Sequence, residues 1–238
     1  MILDANDLDP VSTYKILIAT VVPRPIAWVS TLSTDGVANL APFSFFTVVG
    51  RAPPTLSITM QKRSDGVTLK DSFVNIRETG EFVTNLVTLP LAPAMHRSVR
   101  EFEPHEDEFE IIGVNKAPSE VVRPPRVAQA PVAMECKLDR ILHVTEGGAA
   151  VVWGRVVRFH IRDDLYLPGG RVDTATVPPV GRLAAEYTLA NNAFTTPLDP
   201  EVLEFWTERR MERLDNRASD FSAVAQSSWS ASGSVMGD

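Results

Sequence analysis

Residues Pro23–Ser72 have the sequence PRPIAWVSTLSTDGVANLAPFSFFTVVGRAPPTLSITMQKRSDGVTLKDS, and this stretch decides the fold. An Asp35-Gly36 pair separates the apolar run Ile26–Leu32 from an extended run that begins at Val37. This arrangement predicts a β-hairpin, because Gly accepts the positive φ that tight hairpin turns require. A further strand is predicted over Thr55–Met60. A short helix is then expected to begin at Lys70-Asp71-Ser72.

The same stretch offers two kinds of binding chemistry. Phe43, Phe45 and Phe46 surround Ser44, so that apolar rings and backbone amides are available to a flat heterocycle. The polar segment 61–72 then supplies cationic side chains, hydroxyls and a helix N-terminus, where a phosphate is favoured. A flat ring joined to a phosphate describes flavin mononucleotide (FMN). The three Phe side chains alone are more typical of a core, and alternation along a strand sends Phe46 to the opposite face.

A series of motifs, in order along residues 10–195, resembles the flavin reductase-like, FMN-binding split-barrel family. They are Pro23-Arg24-Pro25-Ile26-Ala27, Asn39–Phe46, Lys70-Asp71-Ser72 with Asn75-Ile76, Asp107-Glu108-Phe109, Glu135–Leu138, Gly154–Val157, and Gly181-Arg182-Leu183 with Tyr187. The resemblance implies a split β-barrel domain over residues 1–198. A C-terminal helix and a Ser-rich tail follow at 199–238.

The pattern outside the central stretch also predicts a mainly β protein with short helices. Many short strands separated by Gly and Pro turns favour an antiparallel barrel over parallel βαβ units. Further strands are predicted at Tyr14–Val22, Glu81–Leu89, Val132–Leu138, Arg140–Thr145 and Ala149–Ile161, and helices at Asp71–Thr79, Pro90–Val99 and Asp199–Leu214. Asp71 or Ser72 is expected to cap the first of these helices, with Gly80 beyond its end. Six carboxylates in residues 101–110 predict a solvated face.

Composition narrows the classes of function. The 238 residues carry a formal net charge of −7, which argues against a nucleic-acid partner. No run approaches the roughly 20 apolar residues of a membrane helix, and the N-terminus lacks the cationic start of a signal peptide. The single cysteine, Cys136, suits a reducing compartment, so the cytoplasm is expected. The scattered histidines give no metal-ligand spacing, and no metal site is predicted.

The candidate cofactor residues fall into two groups. Arg63, Ser64, Lys70, Asp71 and Ser72 could hold a phosphate; composition alone favours a solvated turn, and the family motifs reverse that preference. The acidic members Asp65 and Asp71 are expected to orient the cations or to cap the helix. The resemblance implies that the ring lies along a backbone segment near Ser44, with three residues opposite and one near the ribityl chain. These are Pro42, Phe43, Ser44 and Phe45, then Val29, Ser30 and Thr31, and finally Thr59.

The resemblance implies an oxidoreductase that passes a hydride from NAD(P)H to flavin N5, without a catalytic acid or base in the protein. Reduced flavin could then supply a partner monooxygenase. Many family members carry Gly-Asp-His where this chain has Glu146-Gly147-Gly148, so FMN binding is better supported than NAD(P)H use. This departure indicates the flavoredoxin-like branch. Two alternatives stay open: a non-enzymatic FMN electron carrier, and a barrel without flavin that serves as an interaction module. A homodimer is expected, with Phe205 and Trp206 near its interface.

Overall fold

A computed structural model describes residues 1–143 and 148–191 of the chain. The α-helices are α1 Pro10–Thr20, α2 Asp71–Thr79, α3 Ala92–Arg97 and α4 Glu108–Ile112, and three 3-10 turns cover Ala5–Asp7, Leu89–Leu91 and Asp163–Leu165. The strands are β1 Arg24–Pro25, β2 Ala27–Leu32, β3 Ala38–Phe43, β4 Phe46–Arg51, β5 Pro54–Met60, β6 Glu81–Asn85, β7 Lys116–Ala117, β8 Arg126–Val127, β9 Val132–His143, β10 Ala150–Ile161, β11 Tyr166–Leu167, β12 Arg171–Val172, β13 Val180–Arg182 and β14 Tyr187–Leu189.

The predicted hairpin at Asp35-Gly36 forms one end of the main sheet. Strands β2 and β3 pair antiparallel from Ala27–Phe43 to Leu32–Ala38, and Gly36 has a φ of 86°. The seven-stranded sheet has the order β3-β2-β6-β9-β10-β5-β4, and every neighbouring pair is antiparallel. Pairing of the long strands β9 and β10 shifts register twice, and such bulges bend a sheet. The antiparallel split-barrel prediction is therefore confirmed.

Both faces of the central strand β2 are buried, because its alternate side chains serve two different cores. On β2, Val29 packs with Phe43, Ile58 and Phe82 inside the barrel. Its neighbour Trp28 packs on the other face, together with Met95 and Phe109 from the helices. Helices α3 and α4 are thereby fixed against the sheet beside the end of β3. This packing places α3, α4 and the non-helical segment 98–107 between them next to the central stretch of sequence.

One predicted strand is wrong. Tyr14–Val22 is β-branched and apolar, but residues 10–20 form helix α1, which has no buried residue. Asp9 caps this helix, since its carboxylate accepts hydrogen bonds from the N–H groups of Val11 and Ser12, and Pro10 occupies the first helical position. This start signal outweighs the modest helix penalty of β-branched residues.

Other strand and helix boundaries are corrected more mildly. The two strands predicted at Val132–Leu138 and Arg140–Thr145 are one strand through His143, and the Glu81 strand ends at Asn85 rather than Leu89. Helix α2 has the predicted bounds, and Gly80 follows it in the left-handed region at a φ of 72°. The helix predicted over Pro90–Val99 occurs as a 3-10 turn followed by α3.

Several predictions concern residues that lie outside the described ranges. These are the turn residues Glu146 and Gly147, the domain boundary at 198/199, the helix Asp199–Leu214 and the interface residues Phe205 and Trp206. They stay predictions. Among residues 1–143 and 148–191, none of the helices has the length and apolar character that crossing a membrane requires. Over the same ranges, no cluster of His, Cys, Asp or Glu could hold a metal ion.

Candidate functional site

A two-part cleft lies where the end of β3 meets helices α2 and α3. Its polar half is lined by charged and small side chains: Asn39, Ala41, Arg63, Lys70, Asp71, Ser72, Ser98, Arg100, Glu101, Phe102 and Glu108. Its aromatic half is a cavity of about 220 Å³ lined by Tyr14, Ile18, Arg24, Ile26, Ser44, Met95, His96, Arg182, Ala184 and Tyr187. The two halves share Pro42, Phe43 and Val99. A larger depression of about 460 Å³ beside Leu91 and Arg162 contains no predicted site residue.

The turn between β5 and α2 sets the position of the cations in the polar half. Asp65 accepts hydrogen bonds of 2.8 Å from the N–H groups of both Val67 and Thr68, which closes the turn. The hydroxyl of Thr68 and these amides lower the pKa of Asp65 to about 2. Asp65 thus holds the backbone, whereas Asp71 orients a cation, with 2.5 Å between its Oδ2 and Arg63 Nη2. Ser64 lies apart, because its N–H and hydroxyl both donate to Glu101.

Helix α2 points its N-terminus at the polar half. Its N-cap residue is Lys70, and no side chain caps the helix. The predicted capping role of Asp71 or Ser72 is wrong, because both residues lie inside the first turn and their side chains bond elsewhere. An uncapped N-terminus carries partial positive charge and unpaired N–H groups. Together with the Lys70 ammonium, it favours an anion at this end of the cleft.

A buried hydrogen-bond network supports the polar half from below. The hydroxyls of Ser72 and Thr31 donate to Asn39 Oδ1 at 2.6 and 3.3 Å. Asn39 in turn donates through Nδ2 to Glu108, whose other oxygen accepts from Leu40 N–H at 2.9 Å. Asn75 donates to Thr31 at 3.0 Å. Because these side chains belong to β2, β3, α2 and α4, the network fixes the geometry of the polar half.

Glu108 changes the charge balance of the polar half. It is 4% exposed, and burial raises its pKa to about 8, with Asp71 nearby adding to the effect. Glu108 is therefore protonated at neutral pH, and three cations (Arg63, Lys70 and Arg100) face two carboxylates (Asp71 and Glu101). The prediction that 101–110 is simply a solvated face fails at this position, because α4 turns Glu108 toward the sheet.

The aromatic half combines rings with two guanidinium groups. The Arg24 side chain is buried and donates to the backbone oxygens of Ile18, Val21 and Leu183 at 2.5, 3.1 and 2.7 Å. Arg182 lies 4.7 Å from the ring centroid of Tyr187. The Tyr187 hydroxyl forms a hydrogen bond of 3.0 Å with His96 Nδ1. These contacts give the aromatic half a partly apolar wall with positive charge along it, in which the His96 and Tyr187 rings meet edge to face.

Seven of the predicted site residues line the cleft, and the others do not. The seven that line it are Pro42, Phe43, Ser44, Arg63, Lys70, Asp71 and Ser72. Phe45 lies beside it, with its ring 6.4 Å from that of Tyr14. Val29 is a core residue, Ser30 donates to Pro125 O, and Thr31 belongs to the buried network. Thr59 is a sheet residue that pairs with Val151 on β10 and donates its N–H to Phe45 O, and it does not line the cleft.

Sequence reasoning missed several lining residues. His96, in α3, and Arg100, just after it, come from a segment that carried no binding signal. Glu108 stood in the motif Asp107-Glu108-Phe109, but the acidic run around it predicted a solvated face. Arg24 and Arg182 stood in recognised motifs, so the motifs could have indicated them as site residues.

Comparisons with known proteins agree with this fold and cleft. The model of the "Flavin reductase like domain" family matches residues 19–175. An uncharacterized protein of Aquifex aeolicus is 39% identical over 182 residues, which cover 76% of this chain and 91% of that protein. The structure is similar to nitrilotriacetate monooxygenase component B from Bacillus cereus, with 32% identity, a TM-score of 0.77, and coverage of 82% and 98% of the two chains.

A second solved structure has comparable similarity. It is the 2-nitrobenzoate 2-nitroreductase NbaA of Pseudomonas fluorescens, with 29% identity and a TM-score of 0.76. The match covers 84% of this chain and 97% of that one. The family model spans every residue that lines the polar half of the cleft. Tyr14, Ile18, Arg182, Ala184 and Tyr187 of the aromatic half lie outside the matched range. The chain belongs to the flavin reductase-like domain family.

Proposed function

We propose that this protein is an FMN-dependent oxidoreductase that takes a hydride from NAD(P)H. The main support for the proposal is that the polar and aromatic halves of the cleft are continuous. They share the lining residues Pro42, Phe43 and Val99. FMN has the same two-part chemistry, a flat ring at one end and a phosphate at the other. Family membership supports a flavin as the ligand, while the choice of FMN and of NAD(P)H is our proposal.

The residues present fit a phosphate. Arg63 and Lys70 supply charge-assisted donors, and the uncapped N-terminus of α2 faces the same space. Asp71 keeps Arg63 in place rather than repelling the anion, since the carboxylate is already paired with that guanidinium. Protonation of Glu108 removes the charge that would otherwise oppose the phosphate most directly. FMN should therefore bind more tightly than riboflavin, which lacks this group.

In this reaction the protein orients its ligands and excludes water from them. A bound flavin supplies the redox chemistry by accepting a hydride at N5 and passing electrons on. The backbone at Pro42-Phe43-Ser44 forms one edge of the aromatic half, and Tyr14 and Tyr187 limit its width. The pair His96–Tyr187 holds the outer wall in a fixed orientation. No protein group has to gain or lose a proton, so positioning is the main contribution of the chain.

The proposal is tested by spectroscopy and steady-state kinetics on the purified protein. FMN binding is followed by quenching of flavin fluorescence, with riboflavin as the matched ligand that lacks a phosphate. NAD(P)H oxidation is then measured with added FMN. Turnover well above the flavin blank supports the reductase. A protein that binds neither flavin contradicts the proposal.

An FMN electron carrier is the second candidate. The turn that holds Gly-Asp-His in many family members has a different sequence here, and a carrier needs no nicotinamide site. Tight FMN binding without NAD(P)H oxidation, combined with electron exchange with a redox protein, would favour this candidate.

Delivery of reduced flavin to a partner monooxygenase belongs to the reductase proposal. It is suggested by the similarity to a monooxygenase component B. The proposed location is the cytoplasm, which suits the unpaired and buried Cys136.

We further propose a homodimer that uses α1 and the edge strand β4. Val11, Tyr14 and Leu17 follow one another at helical spacing, and all three are exposed although apolar. Val48, at 69% exposure, adds an apolar side chain on the strand that ends the main sheet. Exposed apolar surface and an open sheet edge both favour association. Because Tyr14 also lines the aromatic half, a second copy docked on α1 would cover that half of the cleft.

A further inference from the structure

Two arginines face each other in the aromatic half of the cleft. Strand β1 pairs with β13 so that Arg24 and Arg182 are direct cross-strand partners. Both side chains line the same cavity. Like charges directly opposite each other in a sheet are destabilising by roughly 0.2–1 kcal/mol. Burial lowers the pKa of Arg24, and the charge of Arg182 lowers it further. Repulsion between the two arginines therefore destabilises the folded state, and the fold alone does not require two cations at these positions.

No carboxylate in the described part of the chain neutralises this pair. The N–H groups of Arg24 donate to three backbone oxygens and, at 3.4 Å, to Ser44 Oγ. Arg182 makes no side-chain hydrogen bond to any residue in 1–143 or 148–191, and its cationic head rests on the Tyr187 ring. Two positive charges consequently remain beside a partly apolar cavity, where electrostatic interactions are stronger than in water.

Arg24 alone has a sufficient structural explanation. Its guanidinium ties the end of α1 to the segment after β13, because Ile18 and Val21 lie at one side and Leu183 at the other. This explanation does not extend to Arg182, whose charged head holds no other element in place. Its orientation depends on Tyr187, which is itself fixed by the hydrogen bond to His96. Among the described residues, Arg182 is therefore a positioned cation that rests on the Tyr187 ring and has no carboxylate partner.

We propose that Arg182, reinforced by the charge of Arg24, stabilises the negative charge that a flavin ring gains on reduction. The inference rests on the proposed FMN site. When two electrons and one proton pass from a donor such as NAD(P)H to the ring, the ring gains one negative charge, and the donor becomes oxidised by two electrons. A cation that the fold already holds in place stabilises the negative charge of the reduced ring as this charge develops. The protein then does not have to reorganise during the reaction. Reduced FMN should therefore bind more tightly, relative to oxidised FMN, because of Arg182.

The test compares the affinities of the two redox states of FMN in three variants. Arg182→Gln removes the charge and keeps a polar side chain, while Arg182→Lys retains the charge. Arg140→Gln is the matched control, since Arg140 also stacks on an aromatic ring, that of Trp153, outside the cleft. The dissociation constant of oxidised FMN is measured by fluorescence. The midpoint potential of bound FMN is measured anaerobically against a redox dye, with dithionite as the two-electron donor.

Arg182→Gln is expected to weaken the preference for reduced FMN about tenfold, equivalent to a midpoint potential lowered by about 30 mV for a two-electron couple. Arg182→Lys should keep most of the preference, and Arg140→Gln all of it. Equal weakening of both redox states, or a change below twofold, overturns the inference while the FMN site stands. If the unmodified protein binds no FMN, the proposed function fails first and this inference fails with it.

Discussion

Glu108 illustrates how a single residue sets the chemistry of the cleft. Its carboxyl group accepts hydrogen bonds from Leu40 N–H and Asn39 Nδ2, yet burial dominates and raises its pKa to about 8. A charged Glu108 would add a third carboxylate to the polar half and weaken its attraction for a phosphate. Protonation keeps the side chain in the network and leaves the cations in excess.

Glu108 should give the stability of the protein a specific pH dependence. Because the pKa of Glu108 in the folded state is raised from its ordinary value of 4.5 to about 8, the folded state holds an extra proton between these pH values. Its contribution to stability is therefore lost as the pH rises from about 4.5 to 8, with a slope of up to about 1.4 kcal/mol per pH unit. Urea unfolding at several pH values should show this slope in the unmodified protein and not in Glu108→Gln.

Glu110→Gln serves as the control for this measurement. It removes one carboxylate from the exposed side of the same helix α4 and should leave the slope unchanged. The interpretation of Glu108 is contradicted if Glu108→Gln and Glu110→Gln have the same pH profile as the unmodified protein.

At the scale of elements, the buried carboxylate of Glu135 helps to tie the loop before β8 to the main sheet. Glu135 on β9 is fully buried and accepts hydrogen bonds from the N–H groups of Glu120, Val121 and Val122, at 2.7–2.9 Å. His160 on β10 lies 2.5 Å from the same carboxylate. Burial alone would raise the pKa of Glu135, but these hydrogen bonds lower it to about 2.

Glu135→Gln should destabilise the fold by about 2–4 kcal/mol, because buried N–H groups lose their charged acceptor. In the unmodified protein this contribution is present above pH 4.5 and is lost as the pH falls toward about 2. Urea unfolding at pH 7 and at lower pH measures both effects. Glu120→Gln, which removes an exposed partner of Arg158, is the control and should cost less than about 1 kcal/mol. Equal effects of the two substitutions would contradict this account of the loop.

The elements also show what sequence alone can predict. Helix α2 was predicted with its observed bounds because an apolar helical pattern and a following Gly80 agree locally. The β-branched run Tyr14–Val22 predicts a strand where helix α1 lies, because the Asp9-Pro10 start signal stands outside that run. The burial of Glu108, and the meeting of Arg24 with Arg182, depend on how distant segments pack. No local pattern contains that information.

At the scale of the whole molecule, association should follow the apolar surface of α1 and β4. Leu17→Glu places a charge at one end of the exposed apolar row on α1, and Val48→Lys places one on the edge strand. We expect light scattering to show a dimer for the unmodified protein and a monomer for the double variant. Val67→Lys, an exposed apolar position away from this surface, is the control. A monomeric unmodified protein, or a dimeric double variant, would contradict the proposed interface.

The central claim is that one cleft holds a phosphate at its polar half and a flat ring at its aromatic half. The most direct measurement is FMN and riboflavin affinity of the Arg63→Gln/Lys70→Gln double variant. In the double variant the Asp71 carboxylate loses its partner Arg63 and could itself repel the phosphate. A triple variant that adds Asp71→Asn removes this cause of a loss in FMN affinity. The control is Arg77→Gln/Arg158→Gln, which removes the same charge from exposed positions.

With charge-assisted hydrogen bonds worth about 1.5–3 kcal/mol each, FMN affinity should fall by about 100-fold or more in the double and triple variants. Riboflavin affinity should stay within about twofold, since the ring keeps all its contacts, and the control should bind both flavins normally. If the double and triple variants hold FMN as tightly as the unmodified protein does, the phosphate does not bind at Arg63 and Lys70, and the account of the cleft is wrong.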